Sequence, residues 1–255
     1  MVIPAFNEER RLPATLERIR EFVRGQGYGA EIVIVNDGST DGTAAGVGRY
    51  ADGSPPVRLV QAPHRGKGHA VKLGMLAATG RYRFLCDADL AMPIEELPRF
   101  LPPQLDGVDI AIGSREAPGA RRYDEPWPRH LMGRGFNGVV RLFTVRGIRD
   151  TQCGFKCFRG EVASALFAQQ RLDGFGFDVE ILFLAQRAGL RMVEVPIDWH
   201  HSRESKVQAG RDTFRMLRDT LGVRWNWMRG RYDLSPIRPS SAAPVSGEPS
   251  KEHHA

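Results

Sequence analysis

Between Glu31 and Asn36 the chain runs Ile32-Val33-Ile34-Val35 without a polar interruption. Successive side chains of a strand point to opposite faces, so an unbroken β-branched run is apolar on both and has to be covered on both. This requirement points to an interior strand of a parallel sheet with helices above and below it. The continuation, Asn36-Asp37-Gly38-Ser39-Thr40-Asp41-Gly42-Thr43, is too rich in Gly, Asp and Ser to extend the strand and reads as a loop capping the next helix.

The first half of the chain repeats this alternation. Val2 to Phe6 predicts a strand that begins so close to Met1 that a few natural residues are expected upstream. Leu12, Leu16, Ile19 and Phe22 recur every three or four residues, which predicts an amphipathic helix over 11–24. Strands are expected at 57–60, 82–86 and 108–112, with a helix over 69–79 after the loop Gly66-Lys67-Gly68. The fold class is therefore α/β, a mostly parallel central sheet flanked by helices, whose ligands lie beyond the carboxyl ends of the strands. Further on, the pattern predicts a basic-faced helix at 129–143, a hairpin-like stretch at 150–159, a helix at 177–188 and a strand at 191–195. A last helix is expected at 211–228, where Phe214, Met216, Leu217, Leu221, Trp225 and Met228 interleave with arginines. The Ser- and Pro-rich stretch from Leu234 cannot build a core, so the chain reads as one domain over 1–233 and a disordered tail over 234–255.

Composition narrows the class. With 255 residues, 42% hydrophobic and 26% charged, the chain can bury a sizeable core, which excludes disorder throughout. Its apolar runs fall short of the roughly 18 residues that span a bilayer. Three cysteines, Cys86, Cys153 and Cys157, match neither a disulfide framework nor paired zinc ligands, and no signal peptide opens the sequence. A reducing cytoplasm is the expected compartment. A net charge of +6 favours an anionic partner, whether nucleic acid, a phosphorylated substrate or anionic lipid. The surplus is local, in Arg115, Arg121, Arg122, Arg129, Arg134 and Arg141 and again from Arg211 to Arg231.

Asp87-Ala88-Asp89 carries the most chemistry. Two carboxylates at the exit of an apolar strand can turn towards one divalent ion, and hard oxygen ligands suit Mg²⁺ or Mn²⁺ on a diphosphate. Asp37 ends the preceding β-branched run in the same way. Other phosphate sites are excluded. The sequence has no P-loop, and Gly133-Arg134-Gly135-Phe136-Asn137-Gly138 does not follow a strand as a dinucleotide fingerprint must.

Taken in order, Val2-Ile3-Pro4-Ala5-Phe6-Asn7-Glu8-Glu9, the Asn36–Thr43 loop, Gly66-Lys67-Gly68, Asp87-Ala88-Asp89-Leu90, Gly113-Ser114-Arg115 and Asp150-Thr151-Gln152-Cys153-Gly154-Phe155-Lys156 resemble the motifs of inverting GT-A glycosyltransferases. The likeness runs from residue 2 to about residue 222 and is nearest to the branch that glycosylates polyprenyl phosphates, in particular the dolichyl-phosphate β-glucosyltransferases. It implies that Pro4, Ala5, Asn7 and Glu8 line the nucleotide, that Asp37 accepts from the base imide, and that Lys67 and Gly68 lie near the nucleotide. By the same likeness Asp87 and Asp89 hold the metal, with Ala88 between them at the nucleotide sugar, and Arg115 faces the phosphates or the acceptor. Arg203, Ser205 and Lys206 match the family's basic segment and become acceptor-phosphate candidates, with Arg129 and Arg134 behind them.

A polyprenyl phosphate is already anionic at neutral pH, its second pKa being about 6, so no strong general base is needed. Cationic groups that bring two anions together in line are needed instead. Asp150 and Asp178 are then acceptor-orienting or structural, and only a hydroxyl acceptor would make one of them a base. Adjacent His200 and His201 point to opposite faces of a strand and do not form a metal pair.

The implied activity is metal-dependent transfer of glucose from UDP-glucose to a polyprenyl phosphate. The alternative donor is GDP-mannose, and the rival classes are a nucleotidyltransferase and a non-catalytic nucleotide-sugar-binding protein. The implied partners are a nucleotide sugar, a polyprenyl phosphate lipid and a membrane surface on which a cytoplasmic enzyme docks peripherally at its inner face, with no nucleic acid. The helices at 129–143 and 211–228 are the expected docking elements, with Trp225, Trp227 and Met228 entering the boundary.

Overall fold

In a computed structural model of the chain, which describes residues 1–124, 138, 144–200 and 211–239, the β-branched run becomes strand β2 (Ile32–Asp37), and each of its residues is buried. Around it alternate β1 (Val2–Ala5), helix α1 (Leu12–Arg24), α2 (Thr43–Gly48), β3 (Val57–Ala62), α3 (Lys67–Ala77) and β4 (Tyr82–Leu85). A 3-10 helix (Ile94–Phe100), β5 (Ile110–Ser114) and β6 (Arg121–Tyr123) follow. The remaining elements are β7 (Lys156–Arg159), α4 (Gly160–Gln169), α5 (Phe177–Arg187), β8 (Met192–Pro196), β9 (Asp198–His200) and α6 (Arg211–Met228).

Among the described residues the main sheet has seven strands in the order β3-β2-β1-β4-β7-β5-β8, and β6 pairs with β9 separately. Only β7 runs antiparallel to its neighbours β4 and β5. The expected α/β class with a mostly parallel sheet is the one observed. Alternate residues of β2 serve opposite faces. Val33 and Val35 enter an apolar cluster with α3, α4, α5 and α6. Ile32 and Ile34 enter the cluster beneath α1 and the 3-10 helix. From α1 the inward stripe is Leu12, Leu16, Ile19 and Val23, each worth about 1.5–3 kcal/mol of apolar burial.

Three points of this reading need correction. The stretch 150–159 is not a hairpin, because only Lys156–Arg159 is extended and it pairs with β4 and β5 rather than with its own neighbour. Helix α4 was not anticipated, although Val162, Ala163, Leu166 and Phe167 give it a buried stripe. The segment from Leu234 is not free as far as residue 239. Leu234 packs against the core, Ile237 is 4% exposed, and the Arg238 carbonyl accepts from Arg159 Nη2. Residues 240–255 lie outside the described residues, as does the expected helix at 129–143 apart from Gly138. Among the described residues, no helix is long and apolar enough to cross a membrane.

Candidate active site

The sheet order places β1 beside β4, while the chain leaves β1 towards β2 on the opposite side. Such a reversal of strand order opens a crevice at the carboxyl ends, where ligands of open α/β sheets bind. The ends of β1, β2, β3, β4 and β5 deliver to one edge the residues after Ala5, Asp37, the 63–68 loop, Asp87-Ala88-Asp89 and Arg115. Because β7 is antiparallel, its first residue Lys156 reaches the same edge.

On the β1–β2 side the polar groups brace one another. Pro4 and Ala5 belong to β1, with Ala5 buried. Asn7 has φ +54°, a left-handed value that Asn tolerates. Its N–H donates to Ser39 Oγ at 2.9 Å and its side-chain oxygen accepts from Thr40 N at 2.9 Å. The Glu8 N–H donates to Thr43 Oγ1 at 2.8 Å, and the Glu8 carboxylate pairs with Arg11. Asp37 is buried, its two oxygens accepting the N–H groups of Arg65 and Gly66 at 3.0 Å each. His64 lies against the same carboxylate and stacks on Phe6, with ring centroids 4.1 Å apart. Sequence reasoning did not single out this ring pair, although an aromatic residue in the turn after the first strand was the available signal.

On the β4 side Lys67 Nζ lies 2.6 Å from Asp87 Oδ1. Gly154 makes room for that carboxylate, since a Cβ there would fall 1.9 Å from Asp87 Oδ2. Asp89 Oδ1 accepts from Ala91 N at 3.2 Å. Burial, and then the Asp87 charge, raise the Asp89 carboxyl above its usual range. Burial opposes the Lys67 charge, but Asp87, Asp178 and Asp89 outweigh it and raise the ammonium pKa. Among the described residues no set of three or more His, Cys, Asp or Glu side chains is arranged for a metal.

Deeper in, Lys156 is 1% exposed. Its ammonium donates to Asp178 Oδ1 at 2.5 Å and to the Cys153 carbonyl at 2.6 Å. Burial raises the Asp178 carboxyl, and Lys156 and Lys67 pull against that rise. Arg115 grips the fully buried Asp150 with Nε at 2.7 Å and Nη2 at 2.9 Å, while its own N–H donates to the same carboxylate at 3.0 Å. Its guanidinium lies over the Trp199 ring. Lys156 occurs in a motif noted above without being given a role. The signal was a lysine set inside the apolar run Phe155 to Phe158. All three cysteines are free and buried.

The acceptor candidates Arg129, Arg134, Arg203, Ser205 and Lys206 lie outside the described residues. The described residues before them are neighbours, for β6 and β9 run parallel and the Tyr123 and His200 rings stack at 4.6 Å.

The model of the family described as glycosyl transferase family 2 matches residues 1–167. The chain belongs to that family. Within it the chain is 34% identical to the dolichyl-phosphate beta-glucosyltransferase of Drosophila melanogaster and 32% identical to that of Homo sapiens. Each comparison covers 93% of this chain and 78% of the relative. Among solved structures, the fold matches mannosyl-3-phosphoglycerate synthase from Rubrobacter xylanophilus with a TM-score of 0.66 at 18% identity, over 97% of this chain and 77% of that one. It also matches glucosyl-3-phosphoglycerate synthase from Mycobacterium tuberculosis in complex with Mn²⁺, UDP-glucose and glycerol 3-phosphate, with a TM-score of 0.63 at 18% identity, over 87% of this chain and 78% of that one. The family 2 protein is a nucleotide-sugar-dependent glycosyltransferase of GT-A fold, which sets aside the nucleotidyltransferase and the non-catalytic module.

Proposed function

We propose that this enzyme transfers glucose from UDP-glucose to a dolichyl-type polyprenyl phosphate, with inversion at the anomeric carbon. The carrying observation is the likeness, over 93% of the chain, to proteins named dolichyl-phosphate beta-glucosyltransferase. The electrostatics of the site agree with a phosphate nucleophile. Asp150 is clamped by Arg115, and Asp178 is held by Lys156. Neither is left to act as a base, and an acceptor ionised with a pKa of about 6 needs none.

In this reading Pro4, Ala5, Asn7 and Glu8 edge the nucleotide, Asp37 accepts from the base imide, and the Gly68 backbone borders the diphosphate. Asp87 and Asp89 are hard oxygen donors, with no third protein carboxylate arranged beside them among the described residues. They fit Mg²⁺ or Mn²⁺ that completes its coordination with phosphate and water oxygens. Such an ion, when bound, neutralises charge on the leaving diphosphate. Lys67 offers its ammonium at the same end, and Arg115 presents a guanidinium fixed in direction by Asp150. Arg203, Ser205 and Lys206, with Arg129 and Arg134, hold the acceptor phosphate, so that two anionic reactants meet among cations.

A lipid acceptor requires the enzyme to reach a bilayer surface, and α6 offers a face for peripheral docking from the cytoplasmic side. Leu221, Trp225 and Met228, spaced four and three apart, are 57%, 52% and 69% exposed. Arg218, Arg224 and Arg229 flank them in exposed positions. Trp227, expected at the boundary, instead turns inward against Phe183. Incubation of the chain and Mn²⁺ with UDP-glucose, GDP-mannose and a polyprenyl phosphate, followed by mass spectrometry of the lipid, tests the reading. Polyprenyl phosphate glucose is expected. Exclusive mannose transfer or an unglycosylated lipid overturns it.

A further inference from the structure

Glu180, one turn into α5, is fully buried. A buried carboxylate is costly unless its lone pairs are occupied, and among the described residues this one takes three donors. Its Oε2 accepts the N–H groups of Arg171 at 3.0 Å and Leu172 at 2.8 Å, and its Oε1 accepts the Tyr232 hydroxyl at 2.7 Å.

The segment so fastened is the back wall of the Lys67 loop. Gln170 Nε2 donates to the Gly68 carbonyl at 2.8 Å and to the Leu172 carbonyl at 2.7 Å. The His69 N–H donates to the Asp173 carbonyl at 3.1 Å, and Arg65 Nη2 to Asp173 Oδ2 at 2.6 Å. The surfaces meet without slack. A Cβ on Gly66, whose φ is +123°, would lie 2.8 Å from the Asp173 carbonyl oxygen, and one on Gly68 would lie 2.6 Å from that of Leu172. Lys67 sits between these two contacts with its ammonium on Asp87. From the other side the chain past α6 latches onto the same wall. Arg171 Nη2 donates to the Arg231 carbonyl at 2.6 Å, and the Asp233 N–H donates to Gln169 Oε1 at 2.9 Å.

We propose that Glu180 is a positioning residue for the donor end of the site, fixing the 170–174 wall at the depth from which the Gly66-Lys67-Gly68 loop presents Lys67 to Asp87. It touches neither reactant. The inference rests on the reading that Lys67 and Asp87 serve the donor diphosphate. Two consecutive amide N–H groups and a phenol call for a group with two acceptor oxygens, which glutamate supplies and glutamine supplies in part.

The test is calorimetry with UDP and Mn²⁺ on the full chain, together with steady-state rates against each substrate. Glu180→Ala weakens UDP binding and raises the donor KM by about tenfold while the acceptor KM stays within about twofold. Glu180→Gln recovers most of the loss, and Tyr232→Phe shifts UDP affinity in the same direction by less. Leu97→Ala, at a buried position on the opposite face of the sheet, lowers the melting temperature and leaves UDP affinity unchanged. Parental UDP affinity in Glu180→Ala, or in Gln170→Leu if the first variant does not fold, overturns the inference, as does an equal loss of donor and acceptor affinity. Failure of the parent chain itself to bind UDP overturns the donor reading, and the inference with it.

Discussion

Asp150 has no exposed surface, and burial by itself would push its carboxyl upward. The Arg115 guanidinium, with two side-chain hydrogen bonds and one from its backbone, instead holds it at about 2 against an ordinary 3.8. A carboxyl depressed in the folded state stabilises the fold fully above its unfolded pKa and ceases to do so as pH falls through the folded value. That gap corresponds to about 2 kcal/mol, present above about pH 4 and lost towards pH 2. Asp150→Asn should therefore lower unfolding free energy by about 2 to 4 kcal/mol at pH 7 in urea titration, and by less at pH 3. A deficit of the same size at both pH values counts against the ion pair as its origin. Residues of this kind differ in how visible they are beforehand. Asp37 and Asp87 announce themselves as acids that end apolar strands. Lys156 and Glu180 do not, because a buried charge is intelligible only through its partners: Asp178 stands 22 positions from Lys156, and the donors to Glu180 stand 8, 9 and 52 positions away.

At the scale of elements, periodicity carries α1 and β2 because each has a single rule, one apolar stripe or two apolar faces. It does not carry β6 and β9, whose three residues are too short to show a period. It misjudges β7, whose partners β4 and β5 are set by the sheet rather than by adjacency. Helix α6 has the expected bounds, Arg211–Met228, yet its periodicity does not tell which side turns inward, since apolar residues occupy two faces. Met216 and Val223 are buried, whereas Leu221, Trp225 and Met228 are exposed and Arg229 lies over the Trp225 ring at 4.4 Å. The two tryptophans should consequently respond differently. Trp225→Ala should weaken cosedimentation with anionic liposomes and leave stability nearly unchanged, while Trp227→Ala should cost about 3 kcal/mol of stability. Arg224→Glu should weaken liposome binding by about tenfold or more at low salt, at about 1 kcal/mol per basic residue near the surface. Binding that ignores salt and Trp225 would count against a lipid-facing role for this helix.

At the scale of the whole molecule, the seven-stranded sheet of the described residues has a thin seam. Among the described residues β1 meets β4 through a single registered pair, Val2 with Leu85, whereas β2 and β3 share a register from Ile32 with Val57 to Asp37 with Ala62. The candidate site lies over this seam, with Asn7 and Asp37 on one side and Asp87, Asp89 and Lys156 on the other. A ligand spanning it binds the two halves of the sheet to one another and is absent from the unfolded chain, so it should stabilise the fold by mass action. At a hundred times its dissociation constant the gain is about 2.7 kcal/mol, or about 5 to 10 °C in melting temperature for a domain of this size. Scanning calorimetry should record that rise for UDP with Mn²⁺, a smaller one for UDP with EDTA, and little for GDP with Mn²⁺. In Asp89→Ala the difference between Mn²⁺ and EDTA should disappear while UDP alone still stabilises the fold. A larger rise with GDP than with UDP would reverse the choice of donor base, and indifference to both nucleotides would remove the crevice as the donor site.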